Sequence, residues 1–269
     1  MDSLTHAPIH FAHANGFPSA SYQLLLQQLG ERHPIYQIPL LGHDPKYPVG
    51  NNWSQLTHQL IHSIESQTQQ PVIGIGHSLG GALTLLAALQ RPELFRAVIL
   101  LDVPTFNRFE SLLIQTAKLT GLINRLSPAH KTKTRRIEWA SMAEARDYFR
   151  SRALFSGFHP QCLEDYLACA LAENEQGSVD LTYQLAVELA VYRTLPHGMV
   201  LKPGMLAVPA GVLVGRQSDT VRKHQYLRMK DYLGFTSLRM PGSHMFPLEH
   251  PLATAANIGT LLQRMAGSR

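Results

Sequence analysis

The apolar residues of this chain recur in two rhythms. Short runs such as PVIGIG at 71–76, the AVILL within RAVILLDV at 96–103 and GVLVG at 211–215 are apolar on successive positions, and IHFA at 9–12 begins a short extended run. Between them lie longer stretches in which apolar residues return every three or four positions. WSQLTHQLIHSIES, for example, carries them at 53, 56, 60, 61 and 64, which is a helical stripe. YQLLLQQLG reads as a helix stopped by Gly30, and GALTLLAALQ as one that ends at Arg91-Pro92. Strands apolar on both faces belong in a parallel sheet covered by helices on each side. The alternation of strand and helix therefore predicts an α/β fold with a doubly wound, mainly parallel sheet.

The rhythm changes near residue 105. From there to about 205 the periodicity is mostly helical, in ESLLIQTAKLTGLINRL, MAEARDYFRSRALF, PQCLEDYLACALAEN and LAVELAVYRTL, and strand-like runs are scarce. PAGVLVGRQSD then resumes the sheet, a helix is expected around 221–233, TSLRMPGSH reads as a last strand and PLATAANIGTLLQRM as a closing helix. The expected division is a core of residues 1–104 and 206–269 interrupted by a helical insertion, 105–205.

Composition narrows the class. The chain has 269 residues, 45% of them hydrophobic and 16% charged, which suits a globular domain rather than a disordered or coiled-coil one. The net charge is +5. Arg125, Lys131, Lys133, Arg135 and Arg136 fall in one short run without an acidic residue, so the excess is local. With no aromatic interleaving or nucleic-acid motif, the run reads as a solvated basic loop, and no nucleic-acid partner is expected. The two cysteines, Cys162 and Cys169, are too few for a disulfide framework. On one helix they would lie about 10 Å apart along the axis, too far to bond. Free thiols, no basic-then-apolar leader and no apolar run of about 20 residues together predict a cytoplasmic chain without a membrane span.

The chemistry gathers at Gly76-His77-Ser78-Leu79-Gly80, a G-x-S-x-G pattern. Alone the pattern is weak. Here a buried strand precedes it and an apolar helix follows, the bend that presents a serine at the carboxyl edge of a sheet. Ser78 is the candidate nucleophile. A serine hydroxyl needs a base to take its proton, and His244, in the loop after the last strand, falls at the same edge. His77 adjoins Ser78 and is expected to point away from it. The base needs a carboxylate to hold its tautomer. Asp219, after the strand GVLVG, is the first candidate, and Asp102, at the end of RAVILLD, is the alternative.

The motifs HANGFP, GHSLGG, RAVILLD, GRQSD and GSHMFPLEHP, in this order, resemble those of the α/β-hydrolases, of the abhydrolase-1 group with a helical cap. The resemblance spans nearly the whole chain and implies that residues 105–205 form the cap. It implies an oxyanion hole made by the backbone N–H groups of Leu79 and Phe17, with Asn15 where the family usually carries histidine. Only about ten residues precede the oxyanion loop, so a sheet of about six strands is expected. A serine at the elbow is similar to esterases and related acyl hydrolases. The implied activity is cleavage of a carboxylic ester or related acyl compound, partly apolar and small, through an acyl-enzyme, without metal or organic cofactor. Acyl transfer, perhydrolysis or carbon–carbon hydrolysis with the same residues is the alternative, and a non-catalytic binding protein is the alternative of another class. The cap aromatics Trp139, Phe149, Phe155, Phe158, Tyr166, Tyr183 and Tyr192 either line a pocket or form the cap's own core, and Arg146, Arg150 and Arg152 read as solvated.

Overall fold

Parallel neighbours need a crossover between them, and the first hundred residues supply a helix each time. A computed structural model describes residues 4–267, apart from the side chains of Leu126 and Lys131. Strand β1 (Ile9–Ala12) is followed by α1 (Gln23–Gly30) and β2 (Ile35–Gln37), then α2 (Ser54–Gln67), β3 (Val72–His77), α3 (Leu79–Gln90) and β4 (Phe95–Leu101). Next come α4 (Arg108–Leu119), α5 (Ile123–Leu126), α6 (Ala129–Thr132), β5 (Glu138–Trp139), α7 (Met142–Arg150), α8 (Pro160–Ala170), β6 (Leu171–Glu173), β7 (Val179–Leu181) and α9 (Leu185–Arg193). The sheet resumes with β8 (Ala210–Gly215), α10 (Lys223–Leu227) and β9 (Thr236–Met240), and the chain closes with α11 (Phe246–Glu249) and α12 (Pro251–Gly267).

The main sheet has six strands in the order β2-β1-β3-β4-β8-β9, all parallel. This is the α/β sheet, and the strand number, that the sequence predicts. The central strands are buried along their length, β3 without exception. Alternate residues serve opposite faces. Ile99 and Leu101 join Phe11, Ile75, Leu213 and α12 on one side, while Val98 and Leu100 join Val212, α2 and α3 on the other. Burying side chains of this size stabilises the fold by about 1.5–3 kcal/mol each.

The stretch between β4 and β8 is mainly helical, but two of its expected helices stop short: MAEARDYFRSRALF is helical only to Arg150, and PQCLEDYLACALAEN only to Ala170, where the chain passes into β6. It also holds a three-stranded antiparallel sheet, β5-β7-β6, which the sequence does not announce. Strands of two or three residues are too short to display a period of two. The helix expected around 221–233 is real but broken: α10 ends at Leu227 and the chain continues as a wider π-turn, Arg228–Tyr232.

At the junction of β3 and α3 the packing is backbone against backbone. A Cβ on Gly80 would stand 2.1 Å from the Ala12 carbonyl oxygen, and one on Gly76 would stand 2.4 Å from the Gly80 carbonyl. Gly80→Ala is therefore expected to lower stability by about 1–3 kcal/mol, the usual cost of overpacking, read as a lower urea midpoint.

Three histidines in or next to strands are buried: His10 in β1, His13 just after it and His77 at the end of β3. Burial pushes His10 down to about 3 and His13 down to about 4, and holds His77 well below the usual range. In the unfolded chain such groups titrate near 6.5. Below that pH the unfolded state binds more protons than the folded one. Stability is thus complete above about pH 6.5 and falls as the pH drops toward 4. Urea midpoints measured from pH 7 to pH 4 should decline, with a shallower slope in His10→Gln.

Candidate active site

Ser78 caps α3 with φ 52° and ψ −115°, a backbone conformation that costs a non-glycine residue about 1–3 kcal/mol. The surrounding chain fixes it. The Ser78 N–H donates to the Leu101 carbonyl at 3.0 Å and the Gly80 N–H to the His13 carbonyl at 3.0 Å. The serine stands at the carboxyl edge of β3, half-buried. Asp102, one residue beyond the adjacent strand β4, has the same unusual φ of 52°.

The loop after β9 carries His244 back across the end of β8. Its Nε2 lies 3.1 Å from Ser78 Oγ and its Nδ1 lies 2.7 Å from Asp102 Oδ2. The carboxylate accepts, so Nδ1 carries the proton and Nε2 presents a lone pair to the serine hydroxyl. Asp102 is wholly buried, which a carboxylate tolerates only when its oxygens are satisfied. They are: Gly215 N–H donates to Oδ1 at 3.0 Å, and Ser218 Oγ–H donates to Oδ2 at 2.5 Å beside the imidazole.

The structure brings Ser78, His244 and Asp102 together and leaves Asp219 out, which reverses the order expected of the two acids. Asp219 is exposed, and its Oδ1 accepts a long hydrogen bond from Thr220 Oγ at 3.4 Å. The physical reason is local. β4 and β8 are neighbours, so both acids follow strands that end at one edge. Asp102 follows its strand directly and turns inward, whereas Asp219 lies four residues past Gly215, beyond a tight turn in which Ser218 N–H donates to the Gly215 carbonyl. From GRQSD it is the Gly215 N–H and the Ser218 hydroxyl that reach Asp102.

The expected oxyanion donors also part company. Leu79 is the first residue of α3, where a helix N–H has no partner within its own helix. The Phe17 N–H instead donates to the Ala14 carbonyl at 3.1 Å, closing the turn 14–17. The Phe17 ring is buried among Tyr166, Phe155 and Phe158, at centroid distances of 5.2–6.0 Å. Trp139, Phe149, Phe155, Phe158 and Tyr166 pack upon one another as a buried core.

Three groups escape a reading of the sequence. Glu249 holds the loop that carries His244: its Oε2 accepts the Ser243 N–H at 2.8 Å, and Oε1 accepts the Ser243 hydroxyl. Glu188, on α9, presses its carboxylate on Gly16, where a Cβ would meet it at 3.2 Å, and its carbonyl accepts Asn15 Nδ2 at 3.1 Å. Burial raises its affinity for a proton, and Arg135 opposes that with an ion pair at 2.7 Å. Arg135 also donates to Tyr183 Oη at 2.9 Å. It is therefore not part of a solvated loop. Arg136 pairs with Glu144 on the surface, and Lys131's side chain lies outside the described residues. Arg146 and Arg150 share Glu164, and Arg152 lies over the Tyr148 ring. Among the described residues, no group of three or more His, Cys, Asp or Glu side chains is placed to hold a metal ion, and no helix is long and apolar enough to cross a membrane.

A family model described as the alpha/beta hydrolase family matches residues 11–257. The chain belongs to that family. Over 99 residues it is 28% identical to ethanol acetyltransferase 1 of Hanseniaspora uvarum, a match covering 33% of this chain and 30% of the yeast protein. Over 168 residues it is 30% identical to a type I acyl-CoA thioesterase of Penicillium brevicompactum, covering 56% of this chain and 37% of the fungal one. The matches thus span about a third of the length of these relatives. Among solved structures, an E-2-(acetamidomethylene)succinate hydrolase superposes with a TM-score of 0.72 at 16% identity, covering 96% of this chain and 91% of that one. At that identity the likeness is one of fold.

The two acids are separable by experiment. A phosphonate that labels activated serines should react with Asp219→Asn within twofold of the wild-type rate. With Asp102→Asn, which leaves the imidazole free to take the wrong tautomer, labelling should slow by about 10³–10⁴-fold.

Proposed function

We propose that this α/β hydrolase is a serine hydrolase that cleaves a carboxylic ester or thioester through an acyl-enzyme. The observation that carries the reading is the unbroken chain from Asp102 through His244 to Ser78, at 2.7 and 3.1 Å. Ser78 Oγ attacks the carbonyl carbon while its proton passes to His244 Nε2. Asp102 stabilises the imidazolium and holds it in place. The oxyanion receives the Leu79 N–H at the positive end of α3. The Phe17 N–H becomes the second donor by sharing its bond to the Ala14 carbonyl, a three-centre arrangement of the kind common at helix termini. His244 returns the proton to the leaving alcohol or thiol. Water, deprotonated by His244, then attacks the ester carbon and releases the acid, restoring Ser78. Residues 105–205 act as the cap, and their aromatic core seats the oxyanion loop through Phe17.

A second reading keeps every residue and changes the acceptor. An alcohol in place of water would take the acyl group from Ser78, and similarity to a protein named ethanol acetyltransferase favours including it.

Both are tested with p-nitrophenyl esters from acetate to octanoate and a matching acyl thioester, with and without ethanol. Turnover should peak at one chain length and fall by at least about 10³-fold in Ser78→Ala. Ethyl ester appearing at the expense of free acid would favour transfer. A folded wild type that neither turns over any of these compounds nor reacts with the phosphonate would overturn the proposal.

A further inference from the structure

Tyr22 and His77 lie wholly buried beneath the site, and the chemistry described so far uses neither. His77 Nε2 is 2.9 Å from the backbone carbonyl oxygen of His244, and its Nδ1 is 2.7 Å from Tyr22 Oη. Tyr22 Oη in turn stands 3.4 Å from the Ala14 backbone nitrogen. The rings are in contact as well, His77 with Tyr22 at 5.8 Å between centroids and with His244 at 4.9 Å.

The directions of these bonds follow from donor chemistry. A carbonyl oxygen only accepts, so His77 Nε2 carries a proton. Burial keeps the imidazole neutral, so Nδ1 is a lone pair and accepts from the Tyr22 hydroxyl. The Tyr22 oxygen is then free to accept the Ala14 N–H. The chain runs one way, from Ala14 N–H to Tyr22, to His77, to the His244 carbonyl. At one end is the loop 14–17 next to Ser78, and at the other is the backbone of the base. Ser243, on the other side of His244, is held by Glu249. His244 is thereby gripped on both flanks, but only the grip through His77 links it to the oxyanion loop.

We propose that Tyr22 and His77 are positioning residues that fix the catalytic base against the oxyanion loop. The proposal rests on Ser78 and His244 being nucleophile and base. Without the bridge, the base loop and the loop 14–17 settle independently. A displacement near 1 Å at a reacting group costs on the order of a hundredfold in rate without a matching loss of substrate binding.

The test uses Tyr22→Phe, His77→Leu and His77→Gln in the full chain, each measured for kcat and KM on the best p-nitrophenyl ester, for phosphonate labelling of Ser78 and for urea midpoint. Tyr22→Phe keeps the ring and removes only the hydroxyl, and should lower kcat about tenfold at unchanged KM. His77→Leu should lower it about a hundredfold. The glutamine amide offers both an N–H donor and a carbonyl acceptor, the two kinds of group that neutral imidazole presents, and His77→Gln should recover most of the loss. If kcat stays within twofold in folded Tyr22→Phe and His77→Leu while only the midpoints fall, the residues are structural and the proposal is overturned. The same holds if glutamine serves no better than leucine. A folded wild type whose Ser78 is not labelled would overturn the site reading and this one with it; a labelled wild type with unaltered variants overturns this one alone.

Discussion

The structure depends on how closely α3 approaches the backbone of β1 and β3. The helix starts one residue after the strand ends, so its first turn lies directly on the main chain of its neighbours. Gly80 meets the Ala12 carbonyl and Gly81 the Gly76 carbonyl, at distances that leave no room for a Cβ. This contact forces Ser78 into its strained conformation, aims its hydroxyl out of the sheet edge and leaves the Leu79 N–H unpaired within the helix. The same approach lets the Gly80 N–H bind the His13 carbonyl, so the loop after β1 is fixed beside the serine. Ser78 and the loop 14–17 are one backbone assembly.

A second constraint is the burial of Asp102. A carboxylate with no access to water is tolerable only when its lone pairs are filled. Gly215, Ser218 and His244 fill them, drawing donors from β8, the turn after it and the loop after β9. The acid thereby ties three segments to the end of β4. In the wholly buried interior the His244 Nδ1–H has one acceptor to face, and the tautomer follows. His244 is held through its ring by Asp102 and through its backbone carbonyl by the buried His77.

The insertion contributes anchoring and polarity. Its aromatic core takes in Phe17, so the loop 14–17 is seated in the insertion as well as in the sheet. Glu188 and Arg135 bring opposite charges to the same loop in a pair that burial alone would disfavour. Removing either partner would leave an uncompensated charge beside the loop 14–17. Asn15 joins this arrangement by donating to Glu188 and sharing a hydrogen bond with Tyr192. This gives a physical role to the asparagine that stands where histidine is usual.

Much of this is legible in the chain. Apolar runs bounded by glycine and proline determine the strands, the 3.6-residue stripes determine the helices, and their alternation determines a parallel sheet whose loops meet at one edge. The glycines around Ser78 mark a bend that other residues cannot make, and His244 follows from its place after the last strand. The short strands β5–β7 escape because two or three residues carry no period. Arg135 escapes because an arginine in a basic run looks solvated until its partner, 53 residues away, is folded against it. The two aspartates show the limit most directly: the sequence determines that Asp102 and Asp219 both follow strands ending at the edge that carries Ser78. Only the tertiary structure decides between them, because the direction of a side chain depends on one backbone turn and on donors from strands distant in sequence.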